Sequence, residues 1–492
     1  MECFVGIDLG TSSVRAIAVN PKGRTVAAGQ CEYDILKPAL NQAEQDMEKL
    51  WQAAVLAIRQ MLSADKGLAD RIRGIGFSGQ MHGLVMLDAE ARLIRNAIIW
   101  ADQRSGPQIE KIYRVIPREQ FGEIYCNKLS TGFLLPSLLW VREHEPQNYE
   151  KVRKVLLPKD YIRYRICGEL GTDASDASGT GMWDMKRRDW AYGLLEKLDI
   201  LRDMMTVSRE SYGQAGVVTK ECARETGLRA GTFVAYGGGD SLMMELGNGM
   251  IRSGRMASTI GTACHLTCAL EKPLYDTKLR TNTWCHGEEG LWSIMGAHLS
   301  GGVALKWLKN QILGFKDFDT MTEEAEAVPA GSEGMLFLPY LNGERTPHND
   351  SDARAVYLGM TLKHTRAHMI RSTMEGIVYS MKESYAIFQS LGIRAQRMIA
   401  AGGGANSRLF RQLQADMYQC PIYRNQGNEQ AGLGAAMTAA VGCGYFRNYE
   451  EACESMVHLS SQATEPISAN VKRYEEEFLR FKEIYHANKK LF

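Results

Sequence analysis

Two aspartates each close an apolar run at a glycine-rich turn: Cys3-Phe4-Val5-Gly6-Ile7-Asp8-Leu9-Gly10-Thr11 near the start, and Phe233-Val234-Ala235-Tyr236-Gly237-Gly238-Gly239-Asp240 near the middle. Each carboxylate is thereby expected at a strand's end. Turns of glycine and threonine leave backbone N–H groups uncovered, and such nests bind phosphate oxygens; a carboxylate beside one can hold a metal ion or accept a proton. Together these are the parts that phosphoryl transfer requires. The simpler alternative is that both aspartates only open turns.

The elements that must carry these residues are readable from periodicity. Cys3 to Ile7, Val14 to Val19 and Thr25 to Cys31 read as three short antiparallel strands joined at Gly10-Thr11-Ser12-Ser13 and Asn20-Pro21-Lys22-Gly23. Met47, Leu50, Trp51, Ala54, Val55, Ile58, Met61 and Leu62 keep the spacing of one helical face, with Asp46 placed as its cap. Strands are expected at Ile72 to Phe77 and Leu84 to Leu87. The second half repeats the theme: Met256 to Ile260, a turn at Gly261-Thr262-Ala263, and His265 to Ala269. Later, Arg397 to Ala401 runs into Gly402-Gly403-Gly404-Ala405-Asn406 and a helical segment, Ser407 to Tyr418, an order that suits a nucleotide contact. Glu429 to Val441 is alanine- and glycine-rich, which suits a helix packed closely on its neighbours or near a ligand. Tyr474, Phe478, Phe481 and Tyr485 form a stripe that reads as core docking.

A chain of 492 residues exceeds what one core usually serves, so two domains of roughly 200 to 250 residues are expected. Fifty-eight basic against 57 acidic residues leave it nearly neutral, which gives no electrostatic footprint for nucleic acid or an anionic membrane surface. Eleven scattered cysteines contain no C-x-x-C pair, and a cytoplasmic location with reduced thiols is expected. No apolar run reaches membrane-spanning length and no signal core opens the chain.

Two related halves, each opening on a hairpin with a Gly-Thr turn and an aspartate ending the first strand, resemble the actin-like ATPase superfamily. A closer resemblance, across nearly the whole chain, is to the FGGY carbohydrate kinases. It is carried by Gly6-Ile7-Asp8-Leu9-Gly10-Thr11-Ser12, Phe77-Ser78-Gly79-Gln80-Met81-His82-Gly83, Leu156-Leu157-Pro158-Lys159-Asp160-Tyr161, Thr172 to Thr180, Gly237-Gly238-Gly239-Asp240, Pro339 to Asn349, and Ala401-Gly402-Gly403-Gly404-Ala405. One glycine motif is weak evidence, whereas several in order are specific. The chain departs from the family pattern in two places. Ser241-Leu242-Met243-Met244 follows the second aspartate where Asn-Ala-Ala-Gly is usual, so bulkier side chains are expected beside it. Ser137 stands where a lysine precedes Leu-Leu-Trp.

The resemblance implies an α/β protein of two ribonuclease-H-like (actin-like ATPase) domains with a cleft between them: residues 1–243 binding sugar and residues 244–492 binding nucleotide. It implies ATP and Mg²⁺ as cofactors and phosphorylation of the primary hydroxyl of D-xylulose to D-xylulose 5-phosphate. Asp240 is the expected general base, and Asp8 the expected catalytic metal-holding carboxylate, directly or through water. The two are expected to straddle the terminal phosphorus from opposite walls of the cleft. Gln80, Met81 and His82 are the implied sugar contacts, with a neutral His82 donating to a hydroxyl. Gly10, Thr11, Ser12, Gly261, Thr262, Gly402, Gly403, Gly404, Ala405 and Asn406 are the implied nucleotide contacts. Glu344 and Arg345 read as an internal ion pair. The resemblance suggests a homodimer. The alternatives are another ketose or polyol as substrate, such as ribulose or erythrulose, and, from another class, an actin-like scaffold or a sugar-sensing regulator without kinase activity.

Overall fold

In β1 (Cys3–Leu9) successive side chains point to opposite faces, as the pleat demands. Cys3, Val5, Ile7 and Leu9 enter one core with Met47, Leu50 and Trp51, while Phe4 enters another with Ile17 and Ala436. Asp8 therefore shares a face with Phe4 and Gly6. A computed structural model of the chain describes residues 1–427 and 429–492, and this strand lies at the centre of its first sheet.

That sheet continues with β2 (Ser13–Val19), β3 (Thr25–Glu32), β4 (Ile72–Gly79), β5 (Gln214–Val217), β6 (Phe233–Ala235) and β7 (Gly238–Gly239). Its order is β5-β6-β4-β1-β2-β3, with β7 continuing beside β4. Helix α1 (Met47–Ser63) covers one face, and its Asp46 cap accepts from the Glu48 and Lys49 N–H groups. Helix α2 (Asp240–Gly247) follows β7 directly.

The second sheet holds β8 (Arg255–Ile260), β9 (Cys264–Leu270), β10 (Asn282–Cys285), β11 (Trp292–His298), β12 (Arg397–Ala401) and β13 (Ile422–Arg424) in the order β10-β11-β9-β8-β12-β13. The duplication is visible in the pairing. In the first sheet β1-β2-β3 are antiparallel, and β4 runs parallel beside β1, followed by a parallel β6. In the second, β8-β9-β11 are antiparallel, and β12 runs parallel beside β8, followed by a parallel β13. Tyr474, Phe478, Phe481 and Tyr485 are buried in the core of this second half.

The alanine- and glycine-rich segment forms α3 (Gln430–Gly442), which lies on the first sheet rather than the second. A Cβ on Gly6 would stand 1.9 Å from the Gly432 carbonyl oxygen, and one on Gly434 would stand 1.9 Å from the Met243 carbonyl oxygen. Only glycine permits backbones to approach this closely. So α3 touches both β1 and α2, on the face to which Asp8 belongs. Among the described residues no helix is long and apolar enough to cross a membrane.

Candidate active site

Asp8 and Ser78 are paired neighbours on β1 and β4, and Ser78 in turn pairs with Gly238 on β7. Asp240 is the first residue of α2, one step beyond β7, so it opens a helix and does not end a strand. Both aspartates thus come from the first sheet, which corrects the expectation of opposite walls: they flank β4 on one wall. The cause is topological, since β7 and β1 are both hydrogen-bonded to the same central strand.

The two carboxylates share an electrostatic environment. The Ser78 hydroxyl donates to Asp8 at 2.7 Å, and Arg15 stands opposite Asp8 on β2. Burial pushes Asp8 upward against both of these influences. Asp240 accepts from the Ser241 N–H at 2.7 Å. Burial, then the negative charge of Asp8, push it up to about 7. A carboxyl group so placed can gain or lose a proton near neutrality.

The peptide before Asp240 is held from behind. Gly239 N–H donates to the Ser175 hydroxyl at 3.1 Å, and Ser175 donates to Asp173. Asp173 accepts from the fully buried Lys159 at 2.7 Å, which also donates to Asp160 at 2.6 Å. Two motifs that were recognisable in the sequence without a role are therefore the support of Asp240. A buried ammonium among carboxylates stays fixed because every alternative leaves a charge unpaired. Ser241 serves Asp240, while Leu242 and Met243 turn into the core. Met243 brings its bulk to the strand that leads to the base: a Cβ on Gly238, two residues before Asp240, would stand 2.4 Å from the Met243 Cε. Ser137 is fully buried within the helix Leu134–His144.

The expected sugar residues divide. Gln80 is buried and donates to Gln45 at 2.6 Å, and Gln45 donates to the Thr11 carbonyl at 2.7 Å, so Gln80 braces the first glycine turn. Met81 packs in the core, and a Cβ on Gly239 would meet its Cγ at 2.8 Å. His82 has a left-handed backbone, with φ of 78°. Its ring stacks on Phe133 at 4.0 Å and tilts against Trp284 at 5.4 Å. Burial pushes it down to about 4, so it is neutral at neutral pH. Its Nδ1 lies 2.6 Å from the Gly179 carbonyl, which can only accept, so Nδ1 carries the proton. Nε2 is then an acceptor, and the expected donation to a hydroxyl is reversed. Phe133 and Trp284 escaped the sequence reading, because isolated aromatics carry no positional signal until the fold brings them together.

The glycine turns lie on both halves. Gly10 and Ser12 close the first turn through Gly10 N–H to Ser13 and Tyr33 N–H to Ser12, each 3.0 Å. The Thr11 hydroxyl accepts from Trp100 Nε1 at 3.0 Å, which leaves its own O–H free to donate outward. In the second half, Gly261, Thr262, Gly403, Gly404 and Asn406 line one cavity of about 430 Å³. Its walls also include Ile260 and Phe410, from the expected strand and helix, and Lys306 and Phe318, which carry no motif in the sequence. Gly402, with φ of 73°, turns the chain into this cavity, while the Ala405 side chain is buried behind it. An apolar pocket beside glycine turns suits a nucleoside. Among the described residues no three His, Cys, Asp or Glu side chains gather as metal ligands. A magnesium ion at Asp8 fits that donor set, since Mg²⁺ takes one or two carboxylates and completes its shell with water and phosphate oxygens.

The duplicated sheets define the actin-like ATPase fold, with a carboxylate pair on one half and a glycine-lined cavity in the other. Residues 3–247 match the N-terminal domain of the FGGY family of carbohydrate kinases, and residues 256–443 match its C-terminal domain. The chain is 36% identical over 495 residues to the xylulose kinase of Bacillus subtilis (strain 168), an overlap that spans 100% of this chain and 98% of that one. It is 34% identical over 439 residues to the xylulose kinase of Escherichia coli (strain K12), spanning 89% and 90% of the two chains. The crystal structure of a xyloylose kinase from Brucella ovis superimposes with a TM-score of 0.93 at 31% identity over 100% of both chains. The protein belongs to the FGGY family of carbohydrate kinases.

Proposed function

We propose that the protein transfers the γ-phosphoryl group of ATP to the primary hydroxyl of D-xylulose, giving D-xylulose 5-phosphate and ADP. The observation that carries this reading is Asp240, a carboxylate at the head of α2 pushed up to about 7 by burial and by Asp8; the residue before it, Gly239, packs on Met81, the neighbour of His82. The named relatives support the choice of sugar. Residues 1–243 supply most of the sugar site, to which Trp284 of the second half adds a wall, and residues 244–492 supply the nucleotide cavity. Eleven unpaired cysteines fit a reducing, cytoplasmic setting, and a homodimer is the association that the family resemblance suggests.

In this reading His82 Nε2 accepts from one sugar hydroxyl and fixes the ketose against Phe133 and Trp284. Asp240 takes the proton of the attacking hydroxyl as its oxygen bonds to phosphorus. The bridging bond to the β-phosphate breaks and ADP leaves. Gly10, Thr11, Ser12, Gly261 and Thr262 present N–H and hydroxyl donors to the phosphates, and Gly402 to Asn406 border the adenosine. Asp8 would hold Mg²⁺, directly or through water; bound there, the ion neutralises charge on the phosphate oxygens. A second reading, the same reaction on another ketose or polyol, rests on Ser241 in place of the usual asparagine. The test is ADP release across ketoses, polyols and aldonates with Asp240→Ala as control. D-xylulose is expected as best substrate with near-complete loss in the variant. Activity that survives the substitution would show that the base is misassigned.

A further inference from the structure

The loop Pro339–Asn349 has no part in the proposed reaction, yet it carries a cation, Arg345, that makes no ion pair among the described residues. Glu344 is buried, and one carboxylate oxygen accepts from the Leu299 and Arg345 N–H groups at 2.9 and 2.7 Å. The other accepts from the Ser380 hydroxyl at 3.2 Å. The carboxylate therefore holds the loop's backbone, and it makes no ion pair with the Arg345 side chain. Thr346 pins the next residue: its N–H donates to the Ala297 carbonyl at 3.0 Å, and its hydroxyl to the Arg280 carbonyl at 2.8 Å. Ala297 pairs with His265 across β11 and β9, and β9 is the strand that leaves the Gly261-Thr262 turn. Arg345 is thus fixed at the phosphate end of the second sheet. Its side chain is exposed, and among the described residues its guanidinium has neither a hydrogen bond nor an ion pair.

A second such cation faces it from the first half. Asn127 grips Thr283 of β10 through both amide atoms, at 2.6 Å each. Leu129 packs with Met81, Phe133 and Trp284, the neighbours of His82. Between them, Lys128 donates to the Asn349 side chain and, among the described residues, meets no carboxylate. Burial, then Arg345, push Lys128 down to about 8. The Arg345 charge also helps depress His82 and His265.

A neutral ketose has no use for two cations that, among the described residues, no carboxylate pairs. The anion that must cross the space between His82 and Thr262 is the phosphoryl group itself. We propose that Arg345 and Lys128, one from each half of the chain, clamp the phosphoryl group as it passes to the sugar oxygen and hold it as the product ester. This rests on the reaction proposed above. The sugar oxygen–phosphorus bond forms, the bond from phosphorus to the β-bridging oxygen breaks with its electron pair leaving on ADP, and the hydroxyl proton goes to Asp240. The clamp moves no proton, and its charge meets the charge spread over the equatorial oxygens.

The test compares Arg345→Gln, Arg345→Lys and Lys128→Met with the unmodified protein. Turnover is measured together with calorimetric binding of D-xylulose 5-phosphate, which needs no catalysis. For Arg345→Gln the expected loss in kcat is about 100-fold, of the size seen when one transition-state donor is removed. The ketose KM stays within about threefold, since an interaction made only in the transition state leaves ground-state binding alone. Product phosphate binds at least about tenfold more weakly, and the melting temperature is unchanged. Lys128→Met loses less, and Arg345→Lys restores part of both readouts, because lysine keeps the charge without the bidentate fork. Unchanged kcat and unchanged product binding in Arg345→Gln would overturn the clamp, as would a raised ketose KM at constant kcat. An unmodified protein that phosphorylates no sugar in the panel overturns the proposed reaction instead, and the clamp with it.

Discussion

Asp8 on β1 and Asp240 at the head of α2 flank the same central strand, β4, and the charge of the first helps to push the second up to about 7. A base must be deprotonated to work, so kcat/KM for the sugar should rise with pH and level off above about 7. Below that, it should fall by about tenfold per pH unit. Initial rates between pH 5.5 and 8.5 check this, and a flat profile would remove Asp240 from the role.

The same shift has a stability consequence. Asp240 has a folded value above its unfolded one, so it favours the fold only while protonated. That contribution is complete below the usual carboxylate range and is lost as pH rises through about 7. Asp240→Asn, neutral throughout, should melt about 2–4 °C above the unmodified protein at pH 8 and show a smaller gain at pH 5.

His82 should show the opposite insensitivity. Its ring, pushed down to about 4, does not titrate between pH 5.5 and 8, so it adds no inflection to the sugar KM there. Asn tolerates the left-handed backbone at this position. His82→Asn should therefore fold normally yet raise the ketose KM by about three- to tenfold, the worth of one hydrogen bond, with the ATP KM unmoved.

Glycines in the two halves of the chain should separate packing from binding. Gly6→Ala drives a methyl group onto the Gly432 carbonyl, 1.9 Å away, and should destabilise by about 1–3 kcal/mol or more in denaturant titration. At Gly403 an added methyl group meets nothing within 4 Å. Gly403→Ala should leave stability within about 0.5 kcal/mol while raising the ATP KM, because it narrows the cavity.

Much of this was legible from residue order. β1, β12, the cap at Asp46 and the aromatic stripe at Tyr474 to Tyr485 follow from local periodicity, which requires no knowledge of distant contacts. The glycine turns were visible for the same reason. What periodicity could not supply was partnership across the chain. It could not show that β7 rejoins β4, which puts both aspartates on one wall, nor that Gly179 consumes the His82 donor. Nor could it show that Lys159 and Asp173 are the ground on which Asp240 stands. Arg345 and Glu344, adjacent and opposite in charge, read as a pair; the fold turns the carboxylate to backbone amides and leaves the guanidinium free.

The docking of α3 on β1 has a consequence for how the polypeptide is made. While the ribosome works through the second half, the face of the first sheet bearing Phe4 and Gly6 waits without its cover, because that cover begins only at Gln430. At about 5–20 residues per second the wait is on the order of ten seconds or more. Nascent chains stalled just short of residue 430 are therefore where chaperone capture and premature aggregation of this protein should concentrate.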